Sequence, residues 1–346
     1  MSEPRLIAAC RQRPVDCTPA WFMRQAGRFL PEYRAVREKH TLLEICAAPE
    51  LTAEVTLQPI RRFGMDGAII FADILLPLVP MGIDLTFVPD VGPSIANPIR
   101  TAEDVTALRP IDPREALAPT LAALGMVRAE LPADTALIGF AGAPFTLASY
   151  LIEGGPTRDF IKTKSFMYRE PDTFRALMEK LVTLTIAYLS AQSDAGAQVL
   201  QLFDSWVGYL GREDYCRYIK PHSAAIFEAL SDLNRPTIHF GVGAGELLED
   251  ISEAGGDVIG LDWRVPLDEG WARIGAGKGV QGNLDPTVLY GPHDFIRERV
   301  RRILTRVNGR PGHVFNLGHG MNPTTPIDSV SVVMETLRSW NGVAVG

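Results

Sequence analysis

Carboxylate, guanidinium and imidazole groups stand in this sequence where they could do chemistry. Asp73 lies between two apolar stretches, 68–72 and 74–76. A carboxylate so placed must be paired, hydrogen-bonded or neutral, because burying a bare charge costs several kcal/mol. A structural ion pair to an arginine and a functional role both account for it. Arg24 and Arg28 occur in WFMRQAGR, 21–28. Their i, i+4 spacing would put both on one helical face, while Gly27 and Pro31 make a loop an equal alternative. Two adjacent guanidiniums repel unless anions lie between them. Trp21, Phe22 and Met23 would dock such an anion-binding element onto a core. Segment 17–39 adds Arg34, Arg37 and Lys39 against Glu32 and Glu38, five basic residues to two acidic, or +3 in a chain of net charge −7. Arginine grips carboxylates and phosphates bidentately, which lysine cannot. His319 is flanked by Gly318 and Gly320, small neighbours that let a substrate approach closely. It could donate to a carboxylate or shuttle a proton, although a lone histidine is more often structural. Tyr150 and Ser205 are hydroxyls that, taken singly, read as packing or turn residues.

These residues need elements to position them. Seven apolar runs recur along the chain: 67–71 (GAIIF), 136–140 (ALIGF), 198–203 (QVLQLF), 236–240 (PTIHF), 257–261 (DVIGL), 278–281 (KGVQ) and 313–317 (HVFNL). Continuous runs of this kind read as buried parallel strands. Helical stretches alternate with them at 49–63, 113–131, 171–193, 214–233, 246–254, 294–307 and 326–340. In 171–193 the apolar positions Phe174, Leu177, Met178, Leu181, Leu184, Ala187 and Tyr188 follow a 3.6-residue period. Alternating strands and helices predict a parallel α/β fold. Seven strands and an eighth sought within 80–100 predict a single (β/α)8, TIM-type barrel. One domain would span 1–346, with 1–46 an N-terminal arm that brings arginines to the site. In such a barrel the functional residues follow the strands. Here Asp73, the Asp204-Ser205-Trp206 and Asp262-Trp263-Arg264 triplets, Asn283 and His319 all do so. A doubly wound sheet is the alternative, but Gly241-x-Gly243-x-Gly245 is followed by Glu246 and lacks the third glycine of the dinucleotide fingerprint, so it reads as a flexible loop.

Composition excludes other classes. The chain has 346 residues, 46% of them hydrophobic, and a mean hydropathy of +0.06. Its most apolar stretch, 67–83, is broken by Asp73, Pro77 and Pro80, which excludes a membrane span. An acidic chain of pI about 5.5 is a poor nucleic-acid binder. The four cysteines, Cys10, Cys17, Cys46 and Cys216, form no C-x-x-C pair. With an N-terminus that lacks the apolar core of a signal peptide, they point to reduced thiols and a cytoplasmic, bacterial protein. No H-E-x-x-H, G-x-S-x-G or phosphate loop is present, and nothing calls for a metal, nucleotide or other cofactor.

The chain resembles the uroporphyrinogen decarboxylase family. The resemblance is carried by PAWFMRQAGRFLPEYR (19–34), FADIL (71–75), GFAGAPFTLASYLIEGG (139–155), LQLFDSW (200–206), GLDW (260–263), QGNLDP (281–286) and NLGHG (316–320), in order and across nearly the whole chain. It implies a (β/α)8 barrel, a homodimer, and removal of the four acetate carboxyls of uroporphyrinogen III as CO2, giving coproporphyrinogen III without a cofactor. Carried over by position, the substrate-site residues are Arg24, Gln25, Arg28, Arg37, Asp73, Tyr150, Ser205 and His319, with Asp73, Arg37, Tyr150 and His319 in the chemistry. Asp73 would accept from pyrrole N–H groups and stabilise a ring made cationic by protonation. The proton donor stays open between Arg37, a water held by an arginine, and a substrate carboxyl. Phe29, Asp204 and Met321-Asn322 depart from the usual family residues but remove no proposed catalytic group. Two other readings compete. A corrinoid- or folate-linked methyltransferase would need a zinc-bound thiolate with Cys and His ligands in reach. A tetrapyrrole carrier would keep the arginines and lose the central carboxylate.

Overall fold

Seven strands form the parallel sheet that runs through the computed structural model, which describes residues 3–88 and 91–340. They are β1 (Gly67–Ile69), β4 (Ala136–Gly142), β5 (Val199–Asp204), β6 (Thr237–Gly241), β7 (Val258–Gly260), β8 (Gly279–Gln281) and β9 (His313–Val314), paired in that order. Between β1 and β4 in the chain lie β2 (Leu85–Val88) and β3 (Gly92–Ile95). All seven expected runs are strands of this sheet. Every residue of β4 is buried, as are all of β6, β7 and β8. Parallel strands covered on both faces require such runs.

The eighth strand is not where it was expected. Residues 80–100 instead carry β2 and β3, an antiparallel hairpin that pairs Leu85 with Ile95 and Val88 with Gly92 and, among the described residues, joins no other strand. Thr86 and Val88 are exposed while Leu85 and Ile95 are buried, the alternation of a hairpin solvated on one face rather than of a central strand. The hairpin rests on the helix Pro144–Glu153 through the Ile95 N–H, which donates to Gly154 O at 2.8 Å.

The sheet's two edges are joined by the N-terminal arm. Asp66 N–H donates to Ala20 O (2.9 Å) and Ala20 N–H to Asp66 Oδ2 (2.8 Å), just before β1. On the other side Phe315 N–H donates to Pro19 O (2.9 Å) and Trp21 N–H to Phe315 O (3.3 Å), just past β9. The Ala20–Phe315 bridge is parallel. Asp66 is buried and also meets Arg338 at 2.8 Å and Arg5 at 3.6 Å, so both ends of the chain fasten here. Trp21 is fully buried and its indole N–H donates to Gln281 Oε1 at 2.9 Å.

The helices fall close to the expected segments: Pro49–Phe63, Pro171–Asp194, Leu248–Ala254, His293–Val307 and Ile327–Arg338. Segment 113–131 divides into Pro113–Ala116 and Ala118–Glu130 around Leu117, because Pro119 restricts the residues before it and donates no N–H. Segment 214–233 holds a π-helical turn, Tyr215–Ile219, ahead of Lys220–Leu230. The loop 241–245 is pinned, since Gly243 N–H donates to Asp262 Oδ2. One contiguous hydrophobic core runs from Leu6 to Leu337.

Candidate active site

Arg24 and Arg28 sit on a loop, not on a helix face. The turn 22–30 closes with Gln25 N–H donating to Phe22 O and Leu30 N–H to Gly27 O, both at 2.9 Å. The helix starts only at Pro31 and ends at Arg37. Arg24 takes the left-handed conformation, φ 63°, which a non-glycine residue adopts at a cost of order 1–3 kcal/mol and holds only when its surroundings impose it. Two contacts impose it here. Met23 N–H donates to Asn316 Oδ1 (3.2 Å) and Met321 N–H to Met23 O (2.9 Å). The arm is thereby zipped to the segment after β9. The Arg24 stem lies against Gly320, where an added Cβ would fall 2.7 Å from Arg24 Cδ. A side chain at 320 would make the Arg24 stem give way.

Arg24 is the electrostatic hub. Its charge bears on Asp73, Tyr150 and His319 alike, so these four expected site residues come together from the arm, the end of β1, the helix Pro144–Glu153 and the segment past β9. Among the described residues no carboxylate lies within 4 Å of the guanidinium of Arg24, Arg28 or Arg37, although many other arginines are paired. Arg24 and Arg28 are exposed and Arg37 is half-buried. Cations left unpaired at the mouth of a site are available to an anionic ligand.

Asp73 resolves one open alternative. Among the described residues it has no ion-pair partner, so it is not the anchor of a structural salt bridge. One oxygen accepts Leu75 N–H at 2.9 Å. Burial raises its pKa, against the pull of that hydrogen bond and of the Arg24 charge. Tyr150 is pushed up to about 12 by burial and then by the Asp73 charge, with the Arg24 charge and the Trp206 side chain acting the other way. Its phenol therefore stays protonated at neutral pH. His319 is pushed down by burial and by Arg24. Gly320 N–H donates to its Nδ1 at 2.7 Å, which leaves the neutral ring's proton on Nε2.

Gln25, Arg37 and Ser205 complete the expected set. Gln25 is fully buried, its Oε1 accepting Phe22 N–H (3.0 Å) and its Nε2 donating to Gly67 O (3.0 Å). These two bonds clamp the arm onto β1 and leave one amide N–H and one oxygen lone pair of Gln25 uncommitted. Arg37 donates to His40 O at 2.6 Å, and its charge and that of Asp73 both reach the buried thiol of Cys46, which burial raises to about 12. Ser205, half-buried, stands in the turn after β5 between Asp204 and Trp206.

Sequence reasoning assigned no role to the aromatic and polar backing of this site. Trp206 packs on Tyr150 with ring centroids 5.9 Å apart. Trp263 lies 6.2 Å from His319 and carries Arg264 over its face at 4.0 Å. Their signal was their position directly after strands. Among the described residues no three His, Cys, Asp or Glu side chains converge as metal ligands, and no helix is long and apolar enough to cross a membrane.

Comparison with known proteins bears on the whole chain. The family model described as uroporphyrinogen decarboxylase matches residues 1–340. A uroporphyrinogen decarboxylase from Streptomyces coelicolor is 54% identical over 333 residues, 96% of this chain and 93% of its own. Another, from Carboxydothermus hydrogenoformans, is 49% identical over 338 residues, 98% of this chain and 97% of its own. Among solved structures, a methyltransferase from Methanosarcina mazei superposes with a TM-score of 0.80 at 21% identity, covering 96% of this chain and 97% of that one. A B12-independent methionine synthase from Shewanella does so with 0.56 at 12%, covering 86% and 90%. At such identities these two speak for the fold alone. Matched from residue 1 to residue 340 and half identical to relatives of its own length, the chain belongs to the uroporphyrinogen decarboxylase family.

Proposed function

We propose that this chain removes the four acetate carboxyls of uroporphyrinogen III as CO2, giving coproporphyrinogen III in tetrapyrrole biosynthesis, without a cofactor. The carrying observation is Asp73, a half-buried carboxylate with no cation within 4 Å among the described residues, which feels the Arg24 charge and whose own charge reaches Tyr150, while His319 shares the Arg24 field. A macrocycle of four pyrrole N–H donors supplies the hydrogen bonds such a carboxylate lacks. Its eight carboxylates supply anions for Arg24, Arg28 and Arg37, each charge-assisted contact contributing roughly 1.5–3 kcal/mol where desolvated.

The chemistry follows from the same electrostatics. Protonation of a pyrrole carbon makes the ring cationic, the cation accepts the electron pair released as the C–CO2 bond breaks, and the resulting exocyclic methylene takes a proton to become the methyl as the ring carbon gives its proton back. Asp73 stabilises that cation in place, a preorganised effect that costs no reorganisation during the step. Tyr150 as phenol and His319 through Nε2–H are donors to substrate carboxylates, and Ser205 adds a hydroxyl at the end of β5. Proton delivery is assigned to Arg37, directly or through a water or substrate carboxyl that it holds. A free guanidinium, with a pKa above about 12, is a weak acid, which favours the mediated routes.

The same reading covers the whole assembly. The seven strands and the Pro19–Trp21 segment make a closed TIM-type ring in a single domain, with the arm doing the work of the eighth strand. The protein is a cytoplasmic homodimer that binds neither nucleic acid nor membrane. Anaerobic incubation with uroporphyrinogen III tests the activity. A ladder of seven-, six-, five- and four-carboxyl products without added metal or cofactor is expected, and a folded protein that yields none would refute it.

A further inference from the structure

The site residues Tyr150 and Ser205 are held by a hydrogen-bonded chain that lies behind them. Thr146 is fully buried, one helical turn before Tyr150 on Pro144–Glu153, so the two share a helix face. Its hydroxyl donates to Asp204 Oδ1 at 3.1 Å, and its Oγ1 accepts the Trp206 backbone N–H at 3.3 Å. One side chain thus fastens both ends of the Asp204-Ser205-Trp206 turn to the helix that carries Tyr150. The Trp206 ring, held by that turn, packs on Tyr150 and, on its other neighbours, on Phe160 (5.4 Å) and Tyr209 (6.3 Å). Phe160 is fully buried in the left-handed conformation, φ 54°, a strained backbone retained where packing imposes it.

Asp204 is itself fully buried. Its second oxygen has no hydrogen-bond partner among the described residues and lies 4.0 Å from His239 Nε2. A carboxylate so enclosed is costly, and the fold gains from it the fixed acceptor that orients the Thr146 hydroxyl.

We infer that Thr146 and Asp204 are positioning residues for the decarboxylation, setting the Tyr150 phenol and the Ser205 hydroxyl through the Trp206 turn without touching substrate. The inference rests on the reading of Tyr150 as a site residue. Thr146→Val keeps shape and removes both hydrogen bonds, and the measurement is a double-mutant cycle with Tyr150→Phe. We expect Thr146→Val to lower kcat about tenfold with KM within about twofold, since small misplacements of catalytic groups carry costs of this order. In the Tyr150→Phe background the same substitution should cost under about twofold, because coupled residues are non-additive. Thr146→Ser should restore the rate. An unchanged kcat, or an equal fall in both backgrounds, would overturn the inference. If Thr146→Val does not fold, Thr146→Ala deletes the same two bonds and enters the same cycle.

Near-ultraviolet circular dichroism separates this inference from the site reading. Should Tyr150→Phe retain full activity, Tyr150 is not a site residue. The positioning chain still predicts that Thr146→Val weakens the aromatic band and that Thr146→Ser preserves it. An unchanged band in Thr146→Val would refute the chain on its own.

Discussion

Asp73→Asn separates binding from chemistry at the residue scale. The amide keeps size and one acceptor but loses the charge that stabilises a cationic ring. Turnover should fall by about 10²–10³, the cost of removing one preorganised electrostatic partner. Binding of the oxidised porphyrin, followed by fluorescence quenching, should change far less. Equal losses in both would assign Asp73 to binding alone, whereas a carrier would show no turnover to lose in the parent protein. The arginine beside it makes a pH prediction. Asp73 titrates above its ordinary range because of burial, and the Arg24 charge holds it down. The carboxylate is the active form, so activity is lost as pH falls through its folded pKa. Arg24→Gln removes the restraint, and the acid limb of kcat/KM should move to higher pH than in the parent protein. A limb that stays in place would show that Arg24 acts only on substrate.

At the scale of elements, the site depends on how closely loops pass. Gly318 lies so near the β7 loop that an added Cβ would stand 2.3 Å from Trp263 N and 2.9 Å from Asp262 C. Backbone cannot yield as a flexible side chain can. Gly318→Ala should therefore destabilise by roughly 1–3 kcal/mol and lower activity by displacing His319. Gly125, inside the helix Ala118–Glu130, has nothing within 4 Å of an added Cβ. Gly125→Ala should stabilise by about 0.5–1 kcal/mol and leave turnover alone. Thermal unfolding of the two variants side by side reads both signs. Should Gly318→Ala unfold no earlier than the parent, the strand-end loops are not packed as described.

At the scale of the whole molecule, His313 links stability to pH. It lies buried in β9, with Nε2–H donating to Gly282 O at 2.8 Å and Nδ1 without a partner among the described residues. Burial lowers its pKa from 6.5 to about 4. Between those values the unfolded chain takes up a proton that the folded chain refuses, so stability is intact above about 6.5 and declines as pH falls toward 4. The difference is about 3 kcal/mol. His313→Asn should flatten this slope in urea unfolding measured from pH 7 to 4.5. An unaltered slope would move the effect to other groups, with His319, lowered in the same sense, next in line.

Local chemistry made much of this protein legible in its sequence. Short, mostly apolar runs such as ALIGF and QVLQLF, spaced between helical stretches, read as buried parallel strands, and all seven contribute strands to the sheet. The 3.6-residue period of 171–193 allowed little but a helix. Asp73, Tyr150, Ser205 and His319 were visible as polar residues placed directly after strands or in the following helix. What tertiary structure decided were the choices between partners distant in the chain. Whether Arg24 and Arg28 formed a helix face or a loop depended on Asn316 and Met321, some 290 residues on. That Gln25 would be tied to the strand backbone depended on Gly67. The link across the sheet's edges came from Pro19–Trp21 rather than from the 80–100 segment, because hydrogen-bonding groups of the arm meet both Asp66 and Phe315 in space. Such pairings leave no period and no spacing in the chain, since the energy that selects them arises only when remote segments share one core.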